Sequence, residues 1–359
     1  MRIYGFFRGF PGLGRVVSGI SILSMLKDMG HEIKAYSYLQ GVQALKEHSI
    51  DFLLEKQPTK NQVMAIGINP ICEVAGEIIS KICRDKPDMV IVDGEPLFIS
   101  TLAMVYPRRK IISLLNPADL YNPALPVSTI KFYHSHYLAA GSAIVHGVDR
   151  DSIVLPDEDH KCEILRTNTI LRRDIIDAKL SEGKEIVSIL GGGSSNSSDN
   201  FWDSTITMGK QVIDAAKYLH SEQFVIYCND SRVEAKLSEY MNSDNVRIVS
   251  EYTLPHVMYS TAKIVISRAG RNTISEILYL KLPAILMSSC GDFRSSEQEK
   301  NIDQACAFRG GRFLKLENRE DGKALVEKIK TAIAAADNGL LFVPGNKDAI
   351  DFVLNKAEN

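Results

Sequence analysis

Acids and arginines set beside glycine turns are the residues of this chain best suited to chemistry. Asp93-Gly94-Glu95-Pro96 and Asn116-Pro117-Ala118-Asp119 put carboxylates directly after apolar runs. A carboxylate at a strand end can take a proton from a substrate hydroxyl, or simply cap a turn. Asp93, Glu95 and Asp119 are therefore the candidate catalytic bases, with the turn reading left open beside them.

Three turns suit anions. The first, Gly9-Phe-Pro-Gly12-Leu-Gly14-Arg15, lies between a predicted strand and a predicted helix. Glycines let backbone approach a ligand closely, and the N–H groups of the next helix meet phosphate or sugar oxygens. It matches neither familiar phosphate motif. Val17 stands where the dinucleotide fingerprint needs its last glycine, Ser37-Tyr38 where it wants an acid, and Arg15-Val16 where a P-loop has Lys-Ser/Thr. The second turn is Leu190-Gly191-Gly192-Gly193-Ser194-Ser195-Asn-Ser-Ser-Asp199, whose N–H and O–H donors suit a diphosphate. The third is Ser267-Arg268-Ala-Gly270-Arg271-Asn272-Thr273-Ile-Ser-Glu276. Arg268 and Arg271 can meet phosphate there, and one carboxylate, Glu276, offers two oxygens to a ribose diol. Thr273-x-x-Glu276 also fits a helix-capping box, and both readings stand.

Alternating short apolar runs and helix-period segments must position these groups. Predicted strands span 2–7, 32–37, 89–93, 111–115 and 143–146 in the first half, then 185–190, 224–228, 246–249, 264–267, 284–287 and 312–314. The clearest helix, 15–29, carries Val16, Ile20, Leu23 and Leu26 on one face. Later helices fall near 201–220, 232–241, 273–280, 296–308, 322–336 and 346–356. Strand and helix in alternation predict an α/β chain of two Rossmann-like, doubly wound domains. The charged stretch 149–183 reads as closing strands plus a linker. The expected domains are 1–165, 166–340 and a terminal helix, 341–359, with its return to the first domain left open.

Composition bounds the function. The chain has 359 residues, 45% hydrophobic and 24% charged, with net charge −2. That excludes a disordered chain and argues against a nucleic-acid binder, which needs a basic excess. The six cysteines form no CxxC pair, and no histidine sits at metal-ligand spacing from one. No metal or other cofactor is expected. No secretory signal or membrane-spanning run is visible, so a cytoplasmic protein is expected. Ile130, Tyr133 and Tyr137 share a helical face beside Lys131, which reads as core, with membrane docking as the alternative.

The segment SRAGRNTISEILYLKLPAIL, followed by EQEKNIDQA, resembles the C-terminal domain of GT-B glycosyltransferases. It is most similar to the UDP-N-acetylglucosamine transferases of peptidoglycan lipid-intermediate synthesis and their archaeal and bacterial relatives. Gly191–Ser195, Gly12–Gly14 and Gly30-His31-Glu32 carry the likeness through most of the chain. The resemblance implies a nucleotide-sugar donor in the second domain, an acceptor in the first and a cleft between them. Glu276 falls where the family holds the ribose, and Gly270 with Arg271, Asn272 and Thr273 where a helix faces the diphosphate. Glu297 and Gln298, after a two-residue length difference, fall where a polar pair reads the donor sugar, and Tyr252 near the base. Relatives often carry His at the position of Arg15; guanidinium cannot act as a base at neutral pH but can offset diphosphate charge.

The implied activity is metal-independent, inverting transfer of a hexosyl or N-acetylhexosaminyl group from a nucleotide diphosphate, UDP by resemblance, to an acceptor hydroxyl. A nucleotide-sugar hydrolase or 2-epimerase of the same fold, and a non-catalytic nucleotide-sugar-binding subunit, stay open as alternatives. So do a lipid-linked acceptor and peripheral contact with the inner face of a membrane.

Overall fold

Apolar runs bounded by turns become parallel strands in the computed structural model, which describes residues 1–9, 13–58, 72–120, 125–148, 162–191, 199–251, 253–289 and 295–358. The chain divides into two units, Met1–Arg172 with Pro344–Asn359, and Arg173–Val343.

In the first unit the described strands are β1 (Arg2–Phe7), β2 (Glu32–Tyr36), β3 (Asp51–Phe52), β4 (Met89–Asp93), β5 (Ile111–Leu115), β6 (Ser142–His146) and β7 (Glu163–Thr167). They form one sheet in the order β3-β2-β1-β4-β5-β6-β7, with every described pairing parallel. MVIVD, IISLL and SAIVH are buried along their whole length, as strands covered on both faces must be. The helix Gly14–Asp28 turns Val16, Ile20, Leu23 and Leu26 inward. Each such aliphatic side chain contributes about 1.5–3 kcal/mol on leaving water.

In the second unit β8 (Glu185–Ile189), β9 (Gln223–Tyr227), β10 (Val246–Val249), β11 (Ala262–Arg268), β12 (Ala284–Met287) and β13 (Phe313–Lys315) follow the order β10-β9-β8-β11-β12-β13. These pairings are parallel too. Strand order therefore reverses twice in the chain, between β1 and β4 and between β8 and β11. At such a reversal the connections leave in opposite directions and open a crevice at the carboxyl ends of the strands.

The last helix, Asn346–Glu358, belongs to the first unit and buries Ala349, Ile350 and Val353. Asn346 anchors it by accepting from the Leu171 N–H at 2.9 Å and donating to the Leu171 carbonyl at 2.8 Å. Asp348 accepts from the Thr167 hydroxyl at 2.7 Å.

The stretch read as closing strands plus linker contains β7, which extends the first sheet beyond β6. Ile170 and Leu171 are buried behind it, so the units divide after Arg172 rather than after residue 165. The two-residue β3 and the six-residue helix Pro255–Ser260 are too short to show a period and escape sequence reading. Tyr133 and Tyr137 pack on the first core, with Tyr137 buried, as the core reading of that face expects.

Candidate active site

The crevice of the first unit is built by three strand ends. Helix Gly14–Asp28 follows the loop after β1 and puts Arg15 in its first turn. Asp93 is the last residue of β4, and Asp119 lies in the short helix Pro117–Leu120 after β5. The Arg15 guanidinium bridges the two acids. Nη1 donates to Asp93 Oδ1 at 2.8 Å and to Asp119 Oδ2 at 2.9 Å, while Nη2 donates to Asp119 Oδ1 at 2.5 Å. Asp119 Oδ2 also accepts from the Asn116 N–H at 2.8 Å. A planar guanidinium suits this forked contact, and Lys does not. Asp119 keeps 11% of its side chain exposed against 1% for Asp93, so Asp119 is the more accessible acid.

Gly94 makes the arrangement possible. Its φ is +83°, and a Cβ there would stand 2.4 Å from Arg15 Cδ and 2.7 Å from Arg8 Cβ. The position requires glycine both for backbone conformation and for space.

Glu95 is separate from the bridge and fully buried. Its Oε1 accepts from the Tyr38 hydroxyl at 2.5 Å, and its Oε2 is buried without a hydrogen-bond partner among the described residues. Burial pushes the Glu95 carboxyl up to about 7, against the pull of Arg8, Tyr38 and Arg15. Burial likewise raises the Tyr38 phenol well above its ordinary range. Tyr38 stands just past β2, where a dinucleotide fingerprint would put its acid, and a tyrosine there carries no motif.

The second unit gathers a different set. β11 ends at Arg268, and the helix Arg271–Leu280 begins with Gly270 as its N-cap and no side-chain cap. The turn is fixed from two sides: the Ala269 N–H donates to the Met287 carbonyl at 2.9 Å, and Asn301 Nδ2 donates to the Ala269 carbonyl at 3.0 Å. Arg268 and Arg271 are both buried. Arg268 Nη2 donates to Thr205 Oγ1 at 2.5 Å and Ser204 Oγ at 3.4 Å, and Arg271 Nε donates to Asn272 Oδ1 at 3.2 Å. Two buried arginines thus flank the turn between the end of β11 and a helix N-terminus, a sequence of groups that favours an anion.

Glu276 lies on that helix. With Gly270 as N-cap, Thr273 is the third helical residue, so the capping-box reading of Thr273 and Glu276 fails. Glu276 is buried, and its Oε2 accepts from the Tyr259 hydroxyl at 2.9 Å. Tyr259 comes from the missed helix Pro255–Ser260; the only local signal for that helix is Pro255 at its start.

Two of the expected donor residues have protein partners in this structure. Gln298 Oε1 accepts from the Ser289 N–H at 2.6 Å and its hydroxyl at 2.8 Å, so that oxygen holds the turn after β12. Glu297 precedes it in the first turn of the helix Ser295–Arg309. Arg15, expected to offset diphosphate charge, is matched by two carboxylates of its own unit. Gly14 opens the helix that carries it. Gly191 follows β8 with φ +85°. Gly12, Gly192, Gly193, Ser194, Ser195 and Tyr252 lie outside the described residues. Among the described residues no cluster of His, Cys, Asp and Glu is arranged to hold a metal ion.

Two doubly wound parallel units make up the GT-B architecture. Residues 186–341 match the glycosyltransferase family 28 C-terminal domain. The chain is a GT-B glycosyltransferase carrying that domain in its second unit. It is 24% identical over 343 residues to the UDP-N-acetylglucosamine–N-acetylmuramyl-(pentapeptide) pyrophosphoryl-undecaprenol N-acetylglucosamine transferase of Clostridium kluyveri, covering 90% of this chain and 89% of that protein. The transferase of the same name from Clostridium botulinum strain Hall is 23% identical, over 88% and 87%. Among solved structures, Acinetobacter baumannii MurG aligns with a TM-score of 0.56 at 13% identity, over 99% of each chain. The UDP-GlcNAc 2-epimerase of Neisseria meningitidis aligns with 0.65 at 14%, over 99% and 100%.

Proposed function

We propose that the protein transfers N-acetylglucosamine from UDP-N-acetylglucosamine to a hydroxyl of a lipid-linked acceptor, with inversion and without a metal. The observation that carries this reading is Glu276, a buried carboxylate on the helix whose N-terminus adjoins Arg268 and Arg271. Phosphate-seeking groups at a helix end, with a diol-seeking carboxylate farther along, match the polar pattern of a nucleoside diphosphate. The names of the curated relatives supply the donor sugar and the lipid-linked acceptor.

In this reading the second unit holds the donor. Glu276 accepts from the ribose hydroxyls, while Arg268, Arg271 and the backbone of Gly270, Asn272 and Thr273 take up charge on the departing UDP. The first unit handles the acceptor. Asp119, the more accessible of the two bridged acids, takes the acceptor proton as the acceptor oxygen bonds to the anomeric carbon and the bond to the diphosphate breaks. Displacement in a single step inverts that carbon. Asp93 and Arg15 orient Asp119. The lipid-linked acceptor implies work at the inner membrane face by peripheral contact; no helix among the described residues is long and apolar enough to cross a membrane.

Glu276→Ala tests the reading. Losing charged hydrogen bonds to two hydroxyls raises the donor KM about a hundredfold. An unchanged KM overturns the ribose role. Incubation with UDP-N-acetylglucosamine and no acceptor tests the chemistry: rapid release of UDP or formation of an epimer replaces the transferase with a hydrolase or 2-epimerase.

A further inference from the structure

A carboxylate taken out of water needs hydrogen-bond donors around it, and the choice of donor fixes its orientation. Glu276 is 2% exposed, and the hydroxyl that reaches its Oε2 belongs to Tyr259, itself 1% exposed. These two residues flank one strand. Tyr259 sits on the helix Pro255–Ser260 that enters β11, and Glu276 on the helix Arg271–Leu280 that leaves it. The pairing thus ties the segment before the strand to the residue read as the ribose ligand after it. The terminal torsion of a glutamate is soft, so the plane of the carboxylate is set by its partners rather than by its rotamer. A rigid phenol donating to one oxygen restricts that plane before any ligand arrives.

We propose that Tyr259 is a positioning residue for donor recognition: it holds the Glu276 carboxylate in the plane that meets both hydroxyls of a ribose, and so makes the site select ribonucleotide over 2′-deoxyribonucleotide donors. The proposal rests on the ribose role of Glu276. A carboxylate held in place is left with an unmatched lone pair when the 2′-hydroxyl is missing, and the deoxy donor is penalised. A carboxylate free to turn re-aims at the remaining hydroxyl, and the penalty shrinks.

The test is Tyr259→Phe, which keeps the ring in its buried place and removes only the donor. The KM for UDP-N-acetylglucosamine rises about tenfold. kcat stays within about twofold, because the reacting atoms are untouched. The preference for this donor over its 2′-deoxyribose counterpart falls. A double-mutant cycle with Glu276→Ala separates positioning from general damage: in the Glu276→Ala background, Tyr259→Phe changes the donor KM no further. Multiplicative effects, or a Tyr259→Phe enzyme with the parental KM and sugar discrimination, overturn the proposal. If Glu276→Ala raises the donor KM while Tyr259→Phe does not, Tyr259 fails and the ribose reading survives. If Glu276→Ala leaves the donor KM unchanged, the ribose reading itself falls and takes the proposal with it.

Discussion

The crevice at the β1–β4 reversal gathers acids around Arg15, with Arg8 beside Gly94; the crevice at the β8–β11 reversal sets two arginines at a helix end, with one acid farther along the helix. Both arise from the same crossover of a parallel sheet. The topology decides where a ligand can lie, and the side chains at the strand ends decide its charge. In the first unit Arg15 is matched by Asp93 and Asp119, and buried Glu95 adds a group that titrates near neutrality. In the second unit the described contacts of the Arg268 and Arg271 guanidinium groups include two neutral hydroxyls and an amide.

The contrast breaks most readily at Glu95. Its pKa is raised from 4.5 to about 7, so the folded state binds a proton that the unfolded state has released between those values. Stability from this group is complete below about pH 4.5 and lost as pH rises through 7. Glu95→Gln keeps an acceptor for Tyr38 and removes the titration. Between pH 5 and pH 8 the parent loses about 2.5 kcal/mol relative to the variant, read from urea unfolding at the two pH values. Parallel pH dependences for the two proteins contradict the raised pKa.

Gly94→Ala comes next. It forces a Cβ to within 2.4 Å of Arg15 Cδ at a positive φ, at a cost of about 2 kcal/mol in unfolding free energy. Turnover falls with it while the Kd for UDP is unchanged, since the damage is confined to the acid crevice. Equal loss of UDP binding would erase the distinction between the two crevices.

The smallest effect is expected in the second unit. Thr205→Val removes the hydroxyl that accepts from Arg268 Nη2, and UDP binding weakens about fivefold, measured by calorimetry. The pH profile of unfolding stays parental, because Glu95 is untouched. A variant with unaltered UDP affinity would detach Arg268 from the anion crevice.

Much of the scaffold was legible. The strands at 2–7, 89–93, 111–115, 246–249 and 284–287 were read with the bounds they have in the structure, because they are short apolar runs between turn signals. β7 was not, since its sequence EILRT is charged and only partly buried, as an edge strand can be. In the candidate site, the acids after β4 and β5 and the third glycine turn stood out because each ends an apolar run. Tyr38, Thr205 and Tyr259 did not, because a lone hydroxyl carries no spacing signal until its partner is known.

The amino-acid order by itself determined that this chain builds parallel sheets wound twice, and where their glycine turns and strand-end acids lie, because hydrophobic period and turn chemistry are local. Only the tertiary structure decided the partners: Arg15 with Asp119 across 104 residues, Tyr38 with Glu95 across 57, and Tyr259 with Glu276 across 17. Those meetings depend on how crossovers stack strand ends side by side, and no periodicity along a chain encodes which end stands next to which.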